Sequence, residues 1–489
     1  MESYAVEPIS TLLAEVDPAG RLAVCGLRRL VLGPGAIATV ADTVATLLRE
    51  TDDIGDSRHQ VVLLVDRTRI GRLGADVKDL VEHQLQERYD VHRIVLDDGH
   101  PKLHVVEGVL AVAARAVSAA DAVVALGGGT ISDIGKVAVQ RARARGRRRP
   151  ILVTVQTAAS VDGYTDDVSV VLRDGVKRTV QTCWPDGVVA DAETIAEAPP
   201  AMNRAGFGEM TSMLVAPADW RLAALVGVDE TFHAGPIRLL RVVGDGLDDW
   251  SAGVRDGEPS AIGALTRALA LRGIATGVAG TTAVLSGVEH LVSHLLDQHH
   301  TLRHLPMGLH GAQVGVASVV AAAAWELLFE RLGSGAGVTR LIDDAFDLTA
   351  ARVRVDAAFG PADPTGQVVE ECWRDYSAKL RAVEDRQGRV SDLLASWPAP
   401  EPELRTLVRP SADIAAGLRA AGAAATFGEL DPQVDDALAR WALANSALMR
   451  NRFTVVDLLT LVGWWRDPDV DEVLDRARRA VAAAEERVG

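Results

Sequence analysis

The sequence predicts an α/β protein with a doubly wound, mainly parallel sheet in its N-terminal part and an all-α C-terminal part. In residues 1–192, short runs of β-branched and aliphatic residues alternate with helical patterns, an order typical of β-α-β units. From residue 193 onward, strand patterns nearly vanish and long helical patterns dominate. Aromatic residues make up only 4% of the chain, whereas Ala, Val, Leu and Arg are abundant, which favours helices and parallel strands over a β-sandwich.

The N-terminal part is predicted to be a Rossmann-like dinucleotide-binding domain that covers residues 1–192. Its predicted strands are Val61–Asp66, His92–Leu96, Ala122–Leu126 and Ile151–Val155, and helical patterns at Val40–Arg49, Gly71–Arg88 and Val106–Val117 separate them. A β-hairpin is predicted from Val168 to Thr182, because Asp174-Gly175 suits a type I′ turn between two β-branched runs.

The C-terminal part, residues 193–489, is predicted to be a helical metal-binding and substrate domain. Helical patterns cover Ala218–Leu225, Pro236–Val243, Ser260–Thr276, Val288–Leu296, Val314–Leu332, Ala437–Ala447 and Val455–Val462. Residues 333–410 mix Gly, Pro and charged residues, so a peripheral helical insertion with exposed loops is expected there.

Charge and composition exclude several functions. The formal net charge of −16 argues against general binding to nucleic acid or to an anionic membrane. The basic run Arg141–Arg149 is open to two interpretations, an anion-binding patch or a solvated helix end and loop. No secretory signal is visible at the start, and the apolar run Val314–Ala324 is too short to cross a bilayer. Three scattered cysteines without a CxxC pair favour a reducing, cytoplasmic setting.

A glycine-rich turn follows the predicted strand Ala122–Leu126 and opens a helix. Backbone N–H groups of such a turn, with the positive end of the helix dipole, can bind a pyrophosphate. The residues of this candidate site are Gly127, Gly128, Gly129, Thr130, Ile131 and Asp133. A tight turn without a ligand remains the alternative. Asp66 ends another strand, where its carboxylate could accept hydrogen bonds from an adenosine ribose or instead cap a helix.

Histidines at helical spacing indicate a candidate metal site. His290 and His294 are four residues apart, so on a helix both imidazoles project from one face. A chance pair on a solvent-facing surface is the alternative, but a third histidine, His310, follows after a short loop. Two imidazoles and a carboxylate suit Zn²⁺ with one position left open, and the same ligand types also accept Ni²⁺ or Fe²⁺.

Several motifs together resemble the glycerol-1-phosphate dehydrogenase family, within the superfamily that also holds dehydroquinate synthase and iron-containing alcohol dehydrogenases. The string from Gly127 to Lys136 (GGGTISDIGK) resembles GGG(S/T)xxDxxK, and Thr157 to Thr165 (TAASVDGYT) resembles TxAS(M)DGYT. The strings GFGE ending at Glu209, SGVEHLVSH ending at His294, and LHGAQV around His310 resemble the family's metal motifs. Similarity also extends to ADWRL at 218–222 and RNRFT at 450–454.

The resemblance implies NAD or NADP as cofactor, a divalent metal, and a site in the cleft between the two domains. Carried over by position, the metal ligands are Glu209, His290 and His310, the catalytic residues that contact substrate are Asp162 and His294, and the cofactor contacts are Thr157, Ser160 and Asp166 together with Asp66 and the glycine turn. The implied reaction moves hydride between the nicotinamide and a small polyol or ketone whose oxygen the metal polarises. A homo-oligomer, most simply a dimer, is expected as well.

Three departures from the family pattern bear on the substrate. Glu209 stands where that family has Asp, and Met213 stands where it has Lys. Asp166 and Asp167 follow the GYT string, where the family has a small polar residue. Loss of a cation and gain of two carboxylates would repel a phosphorylated substrate. Two other functions therefore stay open: a sugar-phosphate cyclase that uses NAD transiently, which Glu209 favours, and a catalytically inactive homologue that acts as a binding protein.

Overall fold

The computed structural model describes residues 4–51, 58–72, 74–100, 102–144, 149–173, 176–244, 246–334 and 340–488. Contacts divide this chain into two compact units. The first comprises Met1–Gly206 with Arg238–Gly280, and the second comprises Phe207–Ile237 with Thr281–Gly489. The boundary expected at residue 192 differs from this division, because residues 193–206 and a later helical segment pack with the sheet.

Strands occur in the first unit. Within the described residues they are β1 (Ala5–Val6), β2 (Arg29–Gly33), β3 (Gln60–Val65), β4 (Gly71–Arg72), β5 (Ala75–Asp76), β6 (Asp90–Val95), β7 (Ala122–Gly127), β8 (Ile151–Gln156), β9 (Val168–Arg173), β10 (Val176–Gln181) and β11 (Gly187–Asp191). Seven of the strands so described form one sheet in the order β1-β2-β11-β8-β7-β3-β6, parallel except for β1. The predicted parallel sheet is confirmed.

Helices cover much of both units. In the described part of the chain they are α1 (Ile9–Val16), α2 (Val40–Arg49), α3 (Val77–Gln86), α4 (Glu107–Ala116), α5 (Gly129–Ala144), α6 (Ala192–Ala196), α7 (Pro200–Met210), α8 (Ala216–Val226), α9 (Ala234–Gly244), α10 (Leu247–Asp256), α11 (Pro259–Ala279), α12 (Val288–Leu302), α13 (His310–Gly333), α14 (Leu348–Phe359), α15 (Gln367–Glu384), α16 (Gln387–Ala395), α17 (Glu401–Arg405), α18 (Ser411–Ala420), α19 (Asp436–Asn445), α20 (Val455–Leu461) and α21 (Asp467–Val488). The all-α character predicted for the C-terminal part is thus confirmed.

The sheet is buried on both faces, which explains why its strands are continuous apolar runs. One core cluster joins residues of α2 and α3 to alternate residues of the central strands, including Leu47, Val81 and Val124. The opposite cluster joins α4 and α5 to the other set, including Leu110 and Val123. Helices on both faces make the sheet doubly wound, and burial on both faces removes the apolar-polar alternation of a one-sided sheet.

Several elements differ from the sequence prediction. The pattern at Gly71–Arg88 begins with the short strands β4 and β5 and becomes helical only at Val77. The predicted hairpin forms from β9 and β10, which pair in antiparallel register, while its turn at 174–175 lies outside the described residues. The strands β2 and β11, which pair with each other in the main sheet, were not predicted. Their apolar centres, LVL in β2 and VVA in β11, are only three residues long, too short for periodicity to indicate a strand.

The segment 333–410 is helical, as expected, but it is more than a peripheral insertion. Trp397 and Phe359 are each almost completely buried. Lys379 on α15 donates hydrogen bonds to the carbonyl oxygens of Ala447 and Arg452, far along the chain. The segment therefore contributes to the core of the second unit and fastens its C-terminal part.

Two long apolar helices, α11 and α13, have the length and hydropathy of a membrane span. The apolar run at Val314–Ala324 belongs to the 24-residue helix α13, so the helix that contains it is long enough to cross a bilayer although the run itself is not. Of the most apolar window, 83% in α11 and 89% in α13 is buried inside the protein. A helix that is apolar all round and covered by protein is typical of a core helix.

Candidate functional site

The glycine-rich turn lies where the strand order of the sheet reverses. Strand β7 pairs with β8 on one side and with β3 on the other, and β3 is followed outward by β6. The turn 127–130 follows β7, and Asp66 follows β3, so both lie at the carboxyl ends of the two strands that flank the reversal. In open α/β sheets this position is where ligands bind.

The glycines of the turn differ in the space around them. A Cβ on Gly127 would lie 2.8 Å from the Ile131 side chain, and a Cβ on Gly129 would lie 2.9 Å from Val161. A Cβ on Gly128 would meet no atom within 4 Å. Packing therefore explains two of the glycines, whereas the third faces open space at the start of α5. A ligand that approaches the backbone there is a physical reason for the missing side chain.

The motif residues Asp133 and Lys136 serve mainly to hold the next loop. Lys136 on α5 has no exposed surface, and its Nζ lies 2.6 Å from Asp166 Oδ1 and 2.7 Å from the Gly163 carbonyl oxygen. Asp133 lies 3.6 Å from the same ammonium. Burial disfavours charge on Lys136, but the carboxylates of Asp166 and Asp133 raise its pKa. Burial raises the pKa of Asp133 to about 6 against the attraction of Lys136.

Asp166 corrects one argument made from the sequence. Its carboxylate is buried and paired with Lys136, so its charge is largely cancelled where it lies. Burial raises the pKa of Asp166, which the neighbouring ammonium opposes. Repulsion of a phosphorylated substrate by Asp166 therefore does not follow from its position in the sequence. A cofactor contact through the paired oxygen is also not favoured.

Asp66 is engaged with its own unit. Its Oδ1 lies 2.7 Å from Nζ of the buried Lys78 and 3.0 Å from the N–H of Thr68. It therefore closes a local turn rather than capping a helix, which decides against that alternative. Thr157 and Ser160 follow β8 beside the glycine turn, and the Thr157 N–H donates to the Gly127 carbonyl oxygen at 3.3 Å.

The basic run has its two ends paired with carboxylates. Arg141 on α5 forms a bidentate pair with Glu107, at 2.7 and 2.8 Å. Arg149 lies 2.6 Å from Asp186. Residues 145–148 lie outside the described residues. Both described ends thus have internal partners, which favours the helix end over an anion-binding patch.

The second unit brings the three predicted metal ligands together. Glu209, His290 and His310 offer ligand atoms that all lie within 4.8 Å of one another. Glu209 lies near the C-terminal end of α7, and His310 is the first residue of α13. A Cβ on Gly208 would lie 2.3 Å from the Gly311 carbonyl oxygen, so glycine is needed for this close approach of α7 and α13.

Hydrogen bonds to the far ring nitrogens set the tautomers of both histidines. His290 Nδ1 lies 2.9 Å from a carboxylate oxygen of the fully buried Glu289. An anionic carboxylate only accepts, so Nδ1 keeps its proton, and Nε2 is the nitrogen that binds a metal when the metal displaces the second proton of the ring. That Nε2 lies 3.4 Å from Glu209 Oε1. Burial disfavours the charged ring of His290, but hydrogen bonds to Glu209 and Glu289 raise its pKa to about 9. The position therefore favours a cation.

His310 is oriented by a chain of buried polar groups that sequence reasoning missed. Its Nδ1 lies 2.9 Å from Ser293 Oγ, and that hydroxyl donates to Gln313 Oε1 at 2.7 Å. Gln313 Nε2 in turn donates to Asp297 at 3.2 Å. Because the serine proton is used on Gln313, the serine oxygen accepts from His310 Nδ1, and Nε2 is the nitrogen of this ring that can bind a metal. Ser293 and Gln313 stand inside the motifs quoted above, which was the available signal.

The third histidine of the motif belongs to the same cluster. The His294 ring stacks on His310 with centroids 5.7 Å apart and meets His290 edge-on at 6.1 Å. The sequence pair at helical spacing is therefore part of a cluster and not a chance pair. Helix α12 continues beyond the predicted end at Leu296 and includes His299 and His300.

The RNRFT string near the chain end fastens the start of α12. Arg452 bonds to the Ser286 hydroxyl and carbonyl oxygens, and its other nitrogen donates to Thr282 Oγ1 at 2.7 Å. Burial lowers the pKa of this guanidinium to about 10, which nearby Glu289 and Asp219 oppose. Arg452 thereby balances the buried carboxylate that orients His290, a role that only the folded chain reveals.

Comparison with known proteins agrees with this arrangement. Residues 31–199 match the model of an iron-containing alcohol dehydrogenase family. The chain is 32% identical over 296 residues to a glycerol-1-phosphate dehydrogenase [NAD(P)+] of Natronomonas pharaonis, an alignment that covers 60% of this chain and 76% of that protein. This chain belongs to the glycerol-1-phosphate dehydrogenase family. The predicted family is confirmed.

Other relatives support the family and the fold. A glycerol-1-phosphate dehydrogenase [NAD(P)+] of Geobacillus thermodenitrificans is 28% identical over 273 residues, which cover 55% of this chain and 65% of that protein. The chain thus spans less than two thirds of that relative. A maleylacetate reductase structure from Agrobacterium tumefaciens superposes with a TM-score of 0.52 at 16% identity, covering 94% of this chain and 98% of that one. At that identity the likeness shows the fold alone.

Proposed function

We propose that this chain is a metal-dependent, NAD(P)-linked dehydrogenase that interconverts a small polyol phosphate and its ketone, with glycerol-1-phosphate and dihydroxyacetone phosphate as the expected pair. The observation that carries the proposal is the cluster of Glu209, His290 and His310, whose ligand atoms lie within 4.8 Å of one another. The Nδ1 atom of each imidazole has a buried hydrogen-bond acceptor, which leaves Nε2 as the nitrogen that would bind the metal. Family membership supports the choice of reaction.

The metal site suits Zn²⁺, Ni²⁺ or Fe²⁺ by its ligand types. Glu209, His290 and His310 would hold the cation, which when bound supplies Lewis acidity toward the substrate oxygen. His294, whose ring stacks on that of His310, would hold or pass on the proton of the reacting hydroxyl. Asp162 would accept a hydrogen bond from another substrate hydroxyl and so select the orientation of the substrate.

The nucleotide would be held by the first unit. The N-terminus of α5 and the open space at Gly128 would receive the pyrophosphate, and Thr157 and Ser160 would contact the cofactor beside them. NAD(P), when bound, supplies the hydride acceptor or donor. The three free cysteines fit a cytoplasmic protein, and a homodimer is expected from the family resemblance.

The test combines metal analysis with NADH and NADPH oxidation by dihydroxyacetone phosphate and by dihydroxyacetone. Wild type is expected to bind about one metal ion per chain and to consume nucleotide, and His310→Ala is expected to lose both. His299→Ala is the matched control, because that histidine shares helix α12 with His290 but is not among the three clustered ligands. Metal binding without nucleotide consumption by any ketone would refute the dehydrogenase.

A sugar-phosphate cyclase is the second candidate, because this chain has a glutamate, Glu209, at the metal-ligand position, as dehydroquinate synthases do. Such an enzyme reoxidises its nucleotide within each cycle, so it binds NAD tightly without net consumption. Release of a carbocycle from a sugar phosphate at constant NADH would favour this reading. Absence of both metal and nucleotide binding would instead favour a binding protein without activity.

A further inference from the structure

The loop that carries Asp162 is held by a buried arginine from a distant part of the chain. Arg272 on α11 is 1% exposed, and its guanidinium nitrogen Nη1 lies 2.9 Å from Asp162 Oδ2. The two residues are more than one hundred positions apart in the sequence, and both belong to the first unit. None of the motifs quoted above contains this arginine, which lies in the long helix α11.

The backbone of α11 lies directly against this loop. Thr165 Oγ1 donates to the Ala270 carbonyl oxygen at 2.6 Å. A Cβ on Gly273 would lie 2.3 Å from Thr165 Oγ1 and 2.4 Å from the Asp162 carbonyl oxygen, so glycine is required at the contact. The helix therefore fixes both the backbone of the loop and, through Arg272, the carboxylate of Asp162.

The opposite side of the same loop is held by the other buried cation. Lys136 donates hydrogen bonds to the Gly163 carbonyl oxygen and to the Asp166 carboxylate. Burial raises the pKa of Asp166, and the nearby negative charge of Asp162 raises that pKa further. Two carboxylates of one short loop are thus each matched by a buried cation. The charges of Asp162 and Asp166 are therefore largely cancelled in the fold, whereas Asp167 accepts a hydrogen bond from the uncharged amide of Gln181.

We propose that Arg272 is a positioning residue that keeps Asp162 ionised and cancels its charge, so that the site accepts an anionic, phosphorylated substrate. The proposal rests on the proposed function, in which Asp162 contacts the substrate. An ionised Asp162 can only accept hydrogen bonds, which selects a substrate hydroxyl over a substrate carbonyl at that contact. Without Arg272, the same carboxylate would repel a phosphate ester more than it repels a neutral ketone.

The experiment compares Arg272→Gln, Arg272→Lys and Arg267→Gln in the full, metal-loaded chain. Arg267 is the matched control, since it lies on the same helix and pairs with a carboxylate, Glu7, but is 38% exposed at its side chain. Affinities for dihydroxyacetone phosphate and for dihydroxyacetone are measured by calorimetry without reduced nucleotide, so that binding is read independently of turnover.

Arg272→Gln is expected to weaken binding of dihydroxyacetone phosphate about tenfold and binding of dihydroxyacetone less than about threefold. The difference arises because the unpaired carboxylate of Asp162 repels the charged ester more than the neutral ketone. Arg272→Lys is expected to recover most of the phosphate-ester affinity, and Arg267→Gln to leave both unchanged. Equal losses for the two ketones, or no loss, would overturn the proposal, since a merely structural arginine does not distinguish them.

Failure of the proposed function gives a different result. If wild type binds neither ketone, the substrate assignment is wrong. The ion pair between Arg272 and Asp162 is then tested by thermal unfolding of Arg272→Gln, Asp162→Asn and the double variant. Arg272 holds Asp162 if the shifts in melting temperature are strongly non-additive. Additive shifts would show two independent residues and would overturn the positioning role.

Discussion

Replacing Ser293 by Ala isolates the tautomer control of one metal ligand. The hydroxyl accepts from His310 Nδ1 at 2.9 Å and donates to Gln313 at 2.7 Å, and neither Ser293 nor Gln313 has more than 1% of its surface exposed. A metal ion on Nε2 obliges Nδ1 to keep its proton, whereas a metal-free ring can move that proton to Nε2. The lost acceptor therefore penalises mainly the metal-bound state.

The size of this penalty follows from the buried donor. A buried donor left without a partner costs about 1–3 kcal/mol. Loss of an outer-shell partner typically weakens metal binding by about 10–100-fold, which is about 1.4–2.7 kcal/mol. The two ranges overlap, so Ser293→Ala is expected to raise the dissociation constant for Zn²⁺ by one to two orders of magnitude.

The assay is a zinc titration of metal-free protein in competition with a chromophoric chelator. Ser318→Ala is the control, because Ser318 is also a fully buried serine and bonds only to a helix carbonyl oxygen, that of Val314, at 2.9 Å. A zinc affinity of Ser293→Ala within about twofold of wild type, or equal to that of Ser318→Ala, would refute the tautomer argument.

Three other substitutions test the remaining parts of the site. Gly128→Ala is expected to leave the melting temperature unchanged, because a Cβ there meets no atom within 4 Å, while NADH affinity measured by fluorescence falls; retained affinity would contradict the cofactor assignment. Lys136→Met is expected to lower the free energy of unfolding by about 3–5 kcal/mol, because a buried carboxylate loses its partner. Burial already raises the pKa of Asp166, and this pKa rises further without Lys136, so folding favours the protonated form of Asp166. The loss of unfolding free energy, measured by urea titration, should therefore be smallest near pH 4 and should grow as the pH rises toward 8. A pH-independent loss of unfolding free energy would argue against this role of Lys136. Gly208→Ala is expected to abolish metal binding, measured by elemental analysis, because its Cβ would lie 2.3 Å from the Gly311 carbonyl oxygen; normal metal content would show that the helices can separate without cost.

The sequence was sufficient for the sheet and for most of the candidate ligands. Strands buried on both faces are continuous apolar runs, so β3, β7 and β8 could be located to within one residue at each end. The spacing of His290 and His294 predicts a shared helix face by geometry alone. The strands β2 and β11 could not be found, because their apolar centres, LVL and VVA, are only three residues long and periodicity does not distinguish so short a run from part of a helix or loop.

By itself the sequence determined the alternation of strands and helices, the glycine turn and the histidine pair at helical spacing, since these depend on local spacing and on residue type, whereas the metal-ligand set with Glu209 came from the family resemblance. Only the tertiary structure decided which groups neutralise the buried carboxylates and which group orients a metal ligand. Lys136 cancels Asp166, Arg272 holds Asp162, and Ser293 orients His310, across separations of 17 to 110 residues. Coulomb and hydrogen-bond energies depend on distance in space and on burial, and a linear sequence records neither. For that reason the position of Asp166 in the sequence did not reveal that its carboxylate is paired with Lys136.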